Sequence, residues 1–280
     1  MSADATQTRR LIVHMGVQKT GSTSLHHFLQ VNRERLAPAL TVLTPKRGTP
    51  TRDMGRAAAL YSVHLDEVHE TRLSEAITTV KDQIDTFPGT CLISHENLPG
   101  AMIGRAGTVT LYPHLEAILA RLDTFLAPYV PEYVIYTREM GVWKRSAHNQ
   151  AIRSDGYAGD YDTFLTETAE AGDWDGLANR FEAAAPGRAH VFRLEDEPDR
   201  SRPGTQLLKL AGLSDDDIDA LKPQRKRRNE SLNPGSLEFM RQINTLALAP
   251  KHRRSVADLV EKNQSLFVTA SDAQDAQSPA

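Results

Sequence analysis

With 280 residues, 40% of them apolar and 25% charged, the chain has material for one large α/β domain or two small ones and too large an apolar share for wholesale disorder. Its 33 basic and 36 acidic side chains leave a formal net charge of −3, which argues against a dedicated nucleic-acid binder or a strongly cationic membrane-surface protein. One cysteine, Cys91, excludes an intramolecular disulfide framework and a multi-cysteine zinc site, and suits a reducing compartment.

The opening MSADATQTRR lacks the apolar stretch of a signal peptide, and no apolar run reaches the ~18 residues of a membrane span, so a cytoplasmic protein is expected. Residues 1–10 and 269–280 are small and polar and read as disordered tails. No Gly/Ser linker or repeat interrupts residues 11–268, which read as a single domain.

In chain order, Leu11 to Met15 is a short apolar run with a β-branched centre, the pattern of a buried parallel strand, and it stops at Gly16. A glycine loop follows. Ser22 is then placed to cap a helix striped by Leu25, Phe28, Leu29 and Leu36. Residues 39–45 form a second candidate strand. Leu73, Ile77, Val80 and Ile84 recur at helical spacing between Asp66 and Phe87. A strand from Thr90 to Ser94 delivers His95, Glu96 and Asn97. Leu115, Ile118, Leu119, Leu122 and Leu126 stripe another helix, and the strand from Tyr133 to Thr137 ends at Arg138. A helix is predicted from Met140 to about Ser154, two short ones around Phe164 and from Leu177 to Phe181, and a last strand from His190 to Leu194. Helices at 204–211, 214–221, 235–248 and 252–265 complete the chain. Strands alternating with helices predict an α/β fold with a mostly parallel sheet covered on both faces, whose ligands bind at strand carboxyl ends.

The first such end is the loop from His14 to Ser24, sequence HMGVQKTGSTS. Its glycines allow a tight turn with free N–H groups, the helix terminus favours negative charge, Lys19 adds a cation, and Ser22 and Thr23 add hydroxyl donors. A phosphate-like oxyanion fits these groups. Lysine stands two positions before Gly21, so the loop is neither GxxxxGK[ST] nor GxGxxG.

This stretch resembles the 5′-phosphosulfate loop of sulfotransferases that use 3′-phosphoadenosine 5′-phosphosulfate (PAPS), above all the bacterial and carbohydrate-type members. The resemblance implies a P-loop-like three-layer α/β/α domain. It places Lys19 beside the oxygen bridging phosphate and sulfate, and gives the 5′-phosphate to backbone amides with Thr20, Gly21, Ser22 and Thr23. Gln18 and Ser24 belong to the same cofactor-binding stretch. Cytosolic small-molecule members carry an aromatic residue at the position of Ser24, so this chain departs from them.

By the same resemblance Arg138 and Ser146, eight residues apart, bind the 3′-phosphate, although the Arg-(Asp/Asn)-Pro opening is here Arg138-Glu139-Met140. Removing a proton from an acceptor hydroxyl needs a base, and His95 and Glu96 are the candidates. They are adjacent, and on extended backbone they point to opposite sides. The pattern Ser94-x-Glu96-Asn97-Leu98 resembles the glutamate-bearing members, which favours Glu96. The basic run from Arg225 resembles the segment that closes over the nucleotide, which implicates Arg227, Arg228 and Asn229.

His26 and His27 are adjacent in a helix, do not share a face, and without a third ligand make no metal site. Cys91 reads as a buried apolar residue, Asp215 to Asp217 as an acidic helix start, and Trp143 and Trp174 as cleft or core residues. The expected activity is sulfuryl transfer from PAPS to an acceptor hydroxyl on a carbohydrate or glycan-like substrate, yielding 3′-phosphoadenosine 5′-phosphate (PAP) without a metal. A metal-dependent phosphotransferase and a non-catalytic nucleotide-binding protein on the same fold are the alternatives.

Overall fold

In the computed structural model, which describes residues 9–224 and 232–268, the apolar runs become five strands and the striped segments become helices. In order these are β1 (Leu11–Gly16), α1 (Ser22–Val31), α2 (Arg33–Leu36), β2 (Leu40–Leu43), α3 (Pro50–His64), α4 (Glu67–Asp85), β3 (Thr90–Ser94), α5 (Leu115–Leu126) and β4 (Glu132–Thr137). They continue with α6 (Met140–Gln150), α7 (Tyr161–Glu167), α8 (Trp174–Ala184), β5 (Ala189–Arg193), α9 (Thr205–Leu210), α10 (Asp215–Asp219), α11 (Pro234–Asn244) and α12 (Pro250–Lys262). The described residues group into two compact units, the first holding 9–101, 111–140 and 172–224, the second 102–110, 141–171 and 232–268.

The first unit contains the sheet. All five strands run parallel in the order β2-β3-β1-β4-β5, with Val13 of β1 opposite Ile93 of β3 and Tyr133 of β4. Every residue of β1 is buried, which is why its sequence is apolar on both faces, with His14 as the one polar side chain, and does not alternate. Ile12, Val42, Leu92 and Val134 pack on one face with Leu25, Phe28 and Leu29 of α1 and Leu207 and Leu208 of α9. Their strand neighbours Leu11, Val13, Ile93, Tyr133 and Ile135 face the other way and are equally buried. Tyr136, inside the first of these clusters, donates to Glu197 Oε1 at 2.5 Å, and Glu197 Oε2 accepts the Thr205 amide at the start of α9 at 2.8 Å.

The chain leaves β1 towards β2 on one side and β4 towards β5 on the other. The carboxyl ends of β1 and β4 are therefore the point at which the connections diverge, the usual place for a ligand in an open parallel sheet.

Two differences from the sequence reading have physical causes. Helix α3 shows little apolar period because the face it buries, Thr51, Met54, Gly55, Ala58, Ala59, Tyr61 and Ser62, is mostly small. Two of its small residues admit the turn after β3, Gly55 lying against His95 and Ser62 against Gly100. The stripe from Leu25 to Leu36 is broken at Asn32, whose buried amide donates to the Phe28 and Lys222 carbonyls and accepts the Lys222 N–H.

Cys91 is buried in β3, and burial pushes its thiol up to about 12, as an inert core residue requires. Asp215 to Asp217 open α10, with Ser214 and Asp217 forming a reciprocal capping box. In the second unit α6 runs on into a π-helical turn, Ala151–Asp155, and Ile152, Leu232, Met240, Ala257 and Val260 form a core of their own. Arg253 of α12 donates to the Ile152 and Arg153 carbonyls of that turn. No helix among the described residues is long and apolar enough to cross a membrane.

Ile77 of α4 is fully buried, whereas its neighbour Thr78 is exposed and spends its hydroxyl on the Ser74 carbonyl. Ile77→Ala lowers the unfolding free energy by about 2–5 kcal/mol. Thr78→Ala changes it by less than about 0.5 kcal/mol. Urea denaturation of both variants checks the assignment of the buried face.

Candidate functional site

The site grows from the carboxyl ends of β1, β3 and β4, all in the first unit. Two glycines shape the loop after β1. Gly16 has φ 75°, and a Cβ there would collide with the backbone of Glu96, so the close approach of β1 to the turn after β3 needs this residue. Gly21, with φ 89°, takes the N-cap position of α1. The expectation that Ser22 caps the helix is therefore corrected: Ser22 is its first residue, and no side chain caps the terminus. First-turn N–H groups have no intrahelical carbonyl to meet, so an uncapped terminus presents them to an anion.

Lys19 also lies in the left-handed region, with φ 69°. A non-glycine residue there costs of order 1–3 kcal/mol and persists only where the surroundings hold it. Arg138, just past the end of β4, provides the hold by donating from Nη1 to the Lys19 carbonyl at 3.1 Å. The Arg138 carbonyl in turn accepts the Trp174 indole N–H at 2.7 Å, and the next amide, of Glu139, donates to Glu195 at 2.9 Å. Arg138 Nε is buried and has no hydrogen-bond partner. A buried, unpartnered donor on a guanidinium calls for an acceptor, and an anion supplies one.

The remaining loop residues divide by what their side chains do. Gln18 is braced on both ends of its amide, accepting from the Tyr112 hydroxyl at 2.5 Å and donating to Asn97 Oδ1 at 3.1 Å and to the Gly100 carbonyl at 3.0 Å. The Thr20 hydroxyl closes onto the Val17 carbonyl at 2.6 Å. These two side chains hold the loop's shape. Thr23 is exposed, Lys19 and Ser24 are half-buried, and the Ser24 carbonyl accepts from Gln224. Ser146 lies on α6, half-buried, in the second unit. Arg227, Arg228 and Asn229 lie outside the described residues.

After β3 the alternation assumed for adjacent side chains does not persist, because the strand ends at Ser94 and residues 96–99 form a turn. His95 is buried with its ring over Gly55 of α3, so closely that a Cβ on Gly55 would overlap it. Its Nδ1 accepts the Asn97 N–H at 3.0 Å. The Glu96 carboxylate bends back to within 3.8 Å of that nitrogen and 3.6 Å of His26 Nδ1. His26, set aside in the sequence, thus joins the site, as do His14 and Ser94, paired across β1 and β3. Ser94 Oγ lies 2.7 Å from His14 Nδ1 and 2.9 Å from His26 Nε2. The sequence signal for this cluster was a histidine inside the apolar run of β1, meaningful only once the partner strand is known. Trp174 supports Arg138, and Trp143 is fully buried.

Burial is the main cause that pushes His14 down to about 3 and His26 and His95 down to about 4, so all three imidazoles are neutral at pH 7. Among the described residues no group of three or more His, Cys, Asp or Glu side chains is arranged to hold a metal ion. Compared with known proteins, the chain matches no protein-family model and no curated sequence.

Because the folded state resists protonation of these histidines, the unfolded chain takes up protons first as pH falls below about 6.5, and the folded protein only near 4 and below. Their contribution to stability is fully present above pH 7 and is lost as pH drops through that window. His26→Asn removes one of the linked protons and shallows the slope by up to about 1.4 kcal/mol per pH unit. Chemical denaturation at pH 7, 6 and 5 measures both slopes.

Proposed function

We propose that the chain is a PAPS-dependent sulfotransferase that modifies a hydroxyl on a carbohydrate or glycan-like acceptor. The observation that carries this reading is one arrangement. A Lys19 loop with an uncapped helix terminus is clamped by an Arg138 that keeps a buried free donor, and its first glycine packs against the carboxylate-bearing residue Glu96.

These groups suit the two anionic ends of the nucleotide. The amides opening α1, with Lys19 and the Ser22 and Thr23 hydroxyls, hold the 5′-phosphate, and Gln18 and Thr20 keep the loop in shape for it. Arg138, with its buried unpartnered Nε, serves the 3′-phosphate. Lys222 and Gln224, bonded to Asn32 and Ser24 of the α1 region, bring the chain to this helix immediately before the basic run that holds Arg227, Arg228 and Asn229. The strand order β2-β3-β1-β4-β5 suits a P-loop-like domain.

When bound, PAPS supplies the sulfuryl group, its sulfur–oxygen bond to the 5′-phosphate breaking as the acceptor oxygen bonds to sulfur. Glu96 takes the acceptor hydroxyl's proton. Lys19 and the loop amides hold the negative charge that gathers on the phosphate side, and being fixed beforehand they need no reorganisation as it appears. Neutral His95, whose ring is confined by Gly55 and the Asn97 amide, keeps the turn in place.

Calorimetry should find PAP binding that survives EDTA and exceeds ATP binding. Tighter ATP binding that disappears on chelation would move the protein to phosphotransferase chemistry. Arg138→Ala weakens PAP binding roughly 10- to 100-fold, the loss of a charged hydrogen bond. Lys19→Ala acts on turnover instead, by roughly 10²–10³-fold, because its partner gains charge during reaction. Glu96→Gln keeps nucleotide affinity and loses roughly 10²–10⁴-fold in transfer to acceptor. Binding isotherms together with labelled-sulfate transfer separate these effects.

A further inference from the structure

The cluster of His14, Ser94 and His26 has a directional property that its geometry determines. Ser94 Oγ sits between His14 Nδ1 and His26 Nε2, at 2.7 and 2.9 Å, and a hydroxyl has one proton. With both imidazoles neutral, both rings could donate to it only by leaving its own proton, at a fully buried site, without either ring to accept it. Two satisfied orders remain, in which it donates to one ring and accepts from the other.

In the first, His14 Nδ1–H donates to Ser94 and Ser94 donates to His26 Nε2, which leaves the His26 proton on Nδ1, facing Glu96 Oε2 at 3.6 Å. In the second, every direction reverses and His26 turns a lone pair towards the carboxylate. The second order also puts a proton on His14 Nε2, which is buried and has no partner. An orphaned buried N–H is rarer and costlier than an under-used acceptor. Glu96 Oε2 is itself buried without a hydrogen bond, so it needs a donor and not a second lone pair. The first order spares His14 an orphaned N–H and turns a donor, not a lone pair, towards Oε2.

We propose that His26 is a positioning residue for Glu96, held by Ser94 and His14 in the Nδ1–H tautomer so that it secures Oε2 and leaves the other carboxylate oxygen to take the acceptor's proton. The inference rests on the sulfotransferase reading for its purpose, though not for its geometry. Groups facing His26 are His14 from β1, Ser94 at the end of β3, and Glu96 and His95 beyond it, with Arg52 of α3 bonded through its backbone to His95. The series is a support and not a proton store. Its far end, His14, is held neutral by burial, with its pKa down at about 3, so a proton arriving from Glu96 has nowhere to rest.

Two variants separate the two nitrogens. Asparagine places its amide nitrogen near the position of Nδ1 and keeps a donor for Glu96, whereas glutamine reaches the position of Nε2 and keeps only the contact with Ser94. Nitrogen-15 NMR of the imidazoles in the full-length protein at pH 7 should show His14 and His26 as Nδ1–H tautomers. Transfer of labelled sulfate from PAPS to a mixed oligosaccharide pool should fall about 10- to 100-fold in His26→Gln, the range typical of outer partners that orient a reacting group. It should stay within about threefold of wild type in His26→Asn, with PAP affinity unchanged in both. An Nε2–H tautomer at His26, or equal transfer by the two variants, overturns the proposal. A wild-type protein that binds no PAP and transfers no sulfate, whatever its tautomers, overturns instead the sulfotransferase reading beneath it.

Discussion

The hydrogen bond from Arg138 to the Lys19 carbonyl joins the carboxyl ends of β1 and β4 at the place where the chain's connections part. Lys19 is in a backbone region that an L-residue avoids. A charged donor from the adjacent strand compensates for that, at a net worth of order 1.5–3 kcal/mol, comparable with the strain. Arg138 is itself fixed by Trp174 on its carbonyl. The order of the strands thus precedes the shape of the loop, and the shape of the loop precedes any binding it performs.

Much of the sheet was legible because β1, β3 and β4 are buried on both faces and so have apolar centres that do not alternate, Leu11 to Val13, Cys91 to Ile93 and Tyr133 to Tyr136. The same rule made α4 and α5 visible, since each carries four or more buried leucine, isoleucine or valine residues at helical spacing. Helix α3 was not legible, because alanine, glycine, serine and threonine fill most of its buried face and leave only Met54 and Tyr61 as large side chains, too few to mark a period. In the site, glycine, lysine and arginine identify themselves by type, and the loop and Arg138 could be named in advance. What Gln18 and Thr20 do could not, because an amide or hydroxyl reads the same whether it meets a ligand or a backbone carbonyl. The placing of His26 depended on a turn after Ser94 that ends the strand's alternation, a tertiary event with no local signal.

The polar groups beneath the loop are nearly all answered from within the protein. Gln18, Thr20, Asn97, Tyr112, Ser94 and two histidines form a set of short bonds under low dielectric, where a satisfied network is rigid and a half-satisfied one is costly. Against that background the unanswered atoms stand out: Arg138 Nε, Glu96 Oε2 and His14 Nε2. Two of the three belong to residues already singled out by type. The contrast is between a saturated support and a few atoms that can each make one further hydrogen bond.

Glu197 extends the same logic into the core. By joining the Tyr136 hydroxyl to the first amide of α9, it ties a helix far along the chain to the strand that ends at Arg138, and the Tyr136 ring meets His14 edge-on at 5.5 Å. The amides at the start of α9 therefore share the fate of β1 and β4 in hydrogen exchange: they open with the central sheet, as one cooperative block, and do not fray alone as a surface helix would. Openings of lower free energy are left to segments outside that block.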